Sequence, residues 1–158
     1  MGLDMYLNAK RYLWDYKEAD LAKKREMMNL FPELAVYLTR LTQENGHPIK
    51  EITASVGYWR KANAIHGWFV QEVQEGEDDC KEYYVSREKL EELKNLCEQV
   101  LANRSLAAEL LPSTSGFFFG GTEYDDWYFS DLELTVEIVN DTLLLSEKDW
   151  NFYYQSSW

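Results

Sequence analysis

The hydrophobic period changes along this chain, and the change restricts the folds open to it. Near the start, Leu3, Met5 and Leu7 alternate with Asp4, Tyr6 and Asn8, the two-residue period of a strand with one buried face. Leu90, Leu93, Leu96, Cys97, Val100 and Leu101 instead recur every three or four residues, which makes the apolar stripe of an amphipathic helix. WNFYYQ then returns to alternation, with Trp150, Phe152 and Tyr154 on one side. A chain that moves from strand to helical period and back must lay helices on a sheet.

The segments between these extremes fill in an order of elements. Residues 2–13 read as the first strand. From Ala19 the chain turns helical, and Pro32 permits a fresh start in which Leu34, Leu38 and Leu41 keep helical spacing until Asn45 and Gly46. IKEITASVGYW alternates imperfectly through Ile49, Ile52, Ala54 and Val56, as a bulged strand does, and Gly57 is expected to turn the chain sharply. Tyr58 to Gln74 reads as a helix buried through Ala62, Ile65, Phe69 and Val73. KEYYVS is a short strand whose Ser86 caps the next helix, with Glu88 in its first turn. STSGFFFGGTEYDDWYF reads as an ordered loop or short strand, because so many rings are not left in water. Ser130 and Glu133 fit a capping box before a last helix that carries Leu132, Val136, Val139 and Leu143 and ends near Leu145. The expectation is one α+β domain over residues 1–158, with a largely antiparallel sheet, four or five helices and no internal repeat.

Composition narrows the partners. Hydrophobic residues make up 46% of the 158 and aromatics 15%, enough to bury a core and to argue against disorder. With 28 acidic and 16 basic residues the net charge is -12, a field that repels phosphate backbones and anionic membranes. Direct nucleic-acid binding is therefore not expected, whereas a basic protein partner suits the charge. Asp4, Asn8, Lys10 and Arg11 interrupt the start, so it lacks a signal peptide's apolar run, and no segment has the length of a membrane span. Two cysteines, Cys80 and Cys97, sit in no metal or redox spacing, which fits reduced thiols in a cytoplasm. Aromatic-rich terminal strands can pair across a two-fold axis, which makes a homodimer the expected oligomer.

The stretch GYWRKANAIHGWF concentrates the chemistry. On a helix from Tyr58, Trp59, Asn63 and His66 share a face with Arg60 beside them. Such a face suits an anion flanked by a ring system: Arg60 and free helix N–H groups hold phosphate, Trp59 stacks, and Asn63 reads amide-like edges. Each residue also has an ordinary reading as a core ring, a satisfied histidine or a surface ion pair. Ser113, Ser115 and Gly116, with Thr114 between them, offer hydroxyls and amides to phosphate oxygens, without the lysine or spacing of a P-loop. Tyr124 and Asp125 complete that side. No HxH, HExxH or CxxC spacing argues for a metal, no cofactor motif is present, and no nucleophile elbow appears. For catalysis, His66 and Asp125 are the acid–base candidates in a thin inventory.

Taken together, MGLDMYL, YWRKANAIHGWF, EDDCKEYYVS and LLPSTSGFFFGGTEYDDWYF, followed by a helix, resemble a family of small phage and prophage proteins without an assigned activity. The resemblance runs from Gly2 to about Leu145. It implies a protein acting in the cytoplasm of an infected bacterium, where small accessory proteins counter host defence, and it carries over no functional residue. The expected function is to bind and sequester a nucleotide-like signalling molecule rather than to turn it over. The alternatives are an acidic inhibitor that mimics nucleic acid on a basic host defence enzyme, and a nucleotide-processing enzyme.

Overall fold

The computed structural model describes residues 2–41 and 47–158. The chain runs through β1 (Asp4–Tyr12), α1 (Glu18–Leu30), α2 (Ala35–Leu41), β2 (Glu51–Arg60), α3 (Asn63–Glu72), β3 (Tyr83–Val85), α4 (Arg87–Ala102), α5 (Ala107–Leu110), α6 (Asp126–Leu143) and β4 (Asn151–Ser157). The four strands form one antiparallel sheet in the order β2-β1-β4-β3, so the architecture is α+β. Backbone bonds from Lys61 N to Leu3 O and from Leu13 N to Lys50 O, each 2.8 Å, flank the β1–β2 pairing. β3 is held against β4 with Tyr83 opposite Tyr154 and Val85 opposite Phe152. Six helices occur among the described residues. The one missing from the expected order is α5, a single turn too short to have a period. The helix end expected at Asn45 and Gly46 lies outside the described residues.

The chain divides into two compact units, one of residues up to Ala9 with Ala54–Trp158 and one of Lys10–Thr53. The larger holds the core. Leu3, Met5, Leu7 and Ala9 of β1 and Phe152 and Tyr154 of β4 point into it, as two-residue alternation requires. Leu90, Leu93, Cys97 and Val100 of α4 and Leu132 and Val139 of α6 close it with their stripes. Ser86 accepts from Lys89 N at the start of α4, the expected cap. Cys97 is sealed there, and burial pushes its thiol up to about 12. In the smaller unit, Lys24 on α1 is wholly buried with its ammonium 2.5 Å from Asp15, and Asp20 accepts from Trp14 N at 3.1 Å and from Arg11 at 3.4 Å. Charge-assisted bonds of this kind are what allow such groups to leave water.

Two local expectations are corrected. Gly57 does not turn the chain, since β2 continues through it to Arg60 and α3 begins only at Asn63. A Cβ at position 57 would lie 2.6 Å from Ile138 Cγ2 and 3.2 Å from Leu7 Cβ, so the glycine serves the close approach of α6 to the sheet. The reversal falls at Lys61, whose φ of 60° is left-handed. Likewise α6 starts at Asp126, capped by Asp125 Oδ1 accepting from Tyr128 N at 3.1 Å, and Ser130 lies inside the helix. The capping-box pattern at Ser130 was matched by chance, because Asx-type caps carry the same N-terminal signal.

Candidate functional site

Moving the start of α3 by five residues redistributes the motif. Trp59 lies on the core face of β2 at 1% exposure, and its indole N–H donates to Thr135 Oγ1 at 2.9 Å. That hydroxyl in turn donates to Asp131 O at 2.7 Å. Trp59 is therefore a core ring and offers no stacking face. Arg60, the next residue, points the other way and is exposed, as strand alternation demands. The two cannot grip one ligand.

His66 is also interior. Its Nε2 lies 3.0 Å from Asp78 Oδ2 and its Nδ1 lies 2.8 Å from the Tyr154 hydroxyl. A carboxylate only accepts, so Nε2–H donates to Asp78, and Nδ1 shares a hydrogen bond with the Tyr154 hydroxyl. Burial raises the Tyr154 phenol well above its usual range, which keeps it protonated. Trp158 Nε1 donates to the other Asp78 oxygen at 3.0 Å, and Phe119 stands edge-on to the imidazole. Every polar atom of this chain of contacts on His66 is satisfied from within, as in a structural histidine.

Asn63 has a different task from the one its type suggested. Its Nδ2 donates to Phe119 O at 3.1 Å and Gly121 O at 2.7 Å, while its Oδ1 accepts from Thr114 N at 3.0 Å. The side chain thus pins both limbs of the serine-glycine-aromatic loop to the start of α3. Within that loop Ser113 Oγ donates to Thr122 O at 2.8 Å, and Ser113 N reaches the Tyr124 hydroxyl at 3.4 Å. The Tyr124 ring meets Tyr128 edge-on, and the Phe119 ring lies 2.5 Å from where a Cβ on Gly116 would sit. Phe119 is buried, Phe118 half-buried and Phe117 exposed, as three successive rings in an irregular segment must divide.

The loop roofs a cavity of about 360 Å³ in the larger unit. One wall is residues 60–65, with Arg60, Lys61 and the first turn of α3; the second is Gly120, Gly121, Glu123 and Asp125; the third is Trp127, Tyr128, Asp131 and Leu132 of α6. Of the residues expected at a site, Arg60, Asn63 and Asp125 line it, whereas Trp59, His66, Ser113, Ser115, Gly116 and Tyr124 do not. Lys61, Trp127 and Asp131 were missed. Trp127 falls in the stretch whose sequence reads as a loop and gives no facing; as the second residue of α6 its ring stands 82% exposed at the cavity. Asp131 is half-buried beside it, and burial first, then the nearby Asp125, raises its carboxyl to about 6. Neither Arg60 nor Lys61 has an acidic partner among the described residues, and Ala62 gives α3 no side-chain cap. A second, more apolar cavity of about 280 Å³ lies on the other side of α3, against Trp68, Leu111, Pro112 and Phe119.

Among the described residues, no cluster of three or more His, Cys, Asp or Glu is placed to hold a metal ion, and no helix is long and apolar enough to cross a membrane. Compared with models of protein families, with curated proteins and with solved structures, the chain gives no match.

Proposed function

We propose that this protein binds a small nucleotide-like molecule in the Arg60–Asp131 cavity and acts by holding it. The observation that carries this reading is the division of the cavity's walls. Two cations without acidic partners stand beside the uncapped first turn of α3, which together suit an anionic group such as phosphate. An exposed indole, Trp127, stands on the α6 wall for a flat ring. The volume is within the range of small-molecule sites. The lining has no histidine, cysteine or serine among the described residues, and its acid–base groups are Lys61, Glu123, Asp125 and Asp131.

Sequestration of a signalling nucleotide is the biological form of this reading, and an infected bacterium is the setting that the resemblance implies. The test is calorimetric titration of the purified protein with GMP and AMP at 0.15 M salt, beside the Arg60→Ala/Lys61→Ala double variant. Binding by the native protein, weakened at least about tenfold in a variant of unchanged melting temperature, is the expected result. No binding of either nucleotide, or full affinity in the folded variant, overturns the site.

A further inference from the structure

Asp131 has no hydrogen-bond partner for its carboxylate among the described residues, although it is half-buried and faces the cavity. The contrast with its neighbours is plain. Asp125 is committed to Tyr128 N, and Asp126 lies on the solvent side near Arg104. A carboxylate in a partly dry wall, with a second acid close by and nothing donating to it, is an unfilled acceptor pair. The cations that could neutralise it, Arg60 and Lys61, are contributed by the wall at the start of α3.

Resting on the nucleotide reading above, we propose that the cavity selects a guanine-type base, whose ring N–H and exocyclic amine both donate to the Asp131 carboxylate while its phosphate lies by Arg60 and Lys61. A planar edge with two adjacent donors matches two carboxylate oxygens in the way an arginine fork does. Adenine presents an acceptor at the corresponding ring nitrogen, so it would set a lone pair against the carboxylate. Sites built to hydrogen-bond a group discriminate strongly against analogues that lack it, because the buried partner is then left unpaired. Trp127 stacks with either purine and supplies no choice between them.

The experiment is a competition series on the native protein with GMP, IMP and AMP, repeated with Asp131→Asn. IMP keeps the ring N–H and loses the amine, so the series needs no variant to read the edge. The expected order is GMP tighter than IMP and IMP tighter than AMP, with at least about tenfold between the extremes. Asp131→Asn should weaken GMP and, by relieving the repulsion of adenine's ring acceptor, strengthen AMP, so that the preference for GMP is lost. Equal affinity for GMP and AMP, or a guanine preference that survives Asp131→Asn, overturns the selectivity while leaving the nucleotide site standing. If none of the three binds, the nucleotide reading itself fails and this inference with it.

Discussion

Two polar clusters lie on either side of the start of α3, and they differ in how completely the protein answers them. Around His66, the imidazole, the Tyr154 hydroxyl, Asp78 and the Trp158 indole satisfy one another. Around the 360 Å³ cavity, Arg60, Lys61 and Asp131 belong to the lining, and their charged groups have no hydrogen-bond or ion-pair partner among the described residues. Both clusters draw on the same short run, YWRKANAIH. Polar residue types alone do not mark a site; what marks it is polar atoms held in place and left unanswered.

This contrast can be broken most decisively by exchanging one member of each cluster. His66→Phe keeps the ring volume but strands the buried Tyr154 hydroxyl and removes the donor to Asp78, so urea denaturation should show a loss of about 3 kcal/mol. Arg60→Ala should stay within about 0.5 kcal/mol of the native protein, as exposed positions do. Equal losses in the two variants would erase the distinction between closed and open clusters.

The strand placement that separates Trp59 from Arg60 depends on α6 lying close over Gly57. Gly57→Ala puts a methyl 2.6 Å from Ile138 Cγ2, and overpacking of this sort should cost about 2 kcal/mol in the same assay. An unchanged midpoint would mean that α6 sits further from the sheet.

A smaller effect of opposite sign is expected at Asp131. Its folded carboxyl titrates near 6, above an ordinary aspartate. The folded state therefore holds the proton more tightly than the unfolded chain does, and the cost of ionising it builds up as pH rises from about 4 to about 6 and is complete above that. Asp131→Asn should stabilise the protein by about 1 kcal/mol at pH 7.5, with the advantage shrinking as pH falls from 6 towards 4. Melting curves across that range measure it; a variant less stable than the native protein at pH 7.5 would show that Asp131 has a partner in the folded chain.

Much of the fold was legible because it rests on long, regular patterns. The alternation in β1 and β4 and the stripes of α4 and α6 survive errors of a residue or two. The site was less legible because it depends on where one helix begins. Reading Gly57 as a turn placed Trp59, Asn63 and His66 on one face; in the folded chain a glycine in a strand answered a neighbouring helix instead, which single-sequence periodicity does not see. Asn63 was recognised as polar and central, yet its partners Phe119 O, Gly121 O and Thr114 N are backbone atoms more than fifty residues away. Trp127 and Asp131 were lost with the misplaced cap: had Asp125 been read as the cap, the two would have stood four residues apart on one helical face.

The sealed Cys97 gives the protein an internal clock. Alkylation requires a thiolate in contact with reagent, and burial denies both to Cys97 while the folded core stays closed. Cys80, in its left-handed turn, is only partly buried. In a sample quenched at intervals, an adduct on Cys97 counts the moments at which α4 has parted from its neighbours.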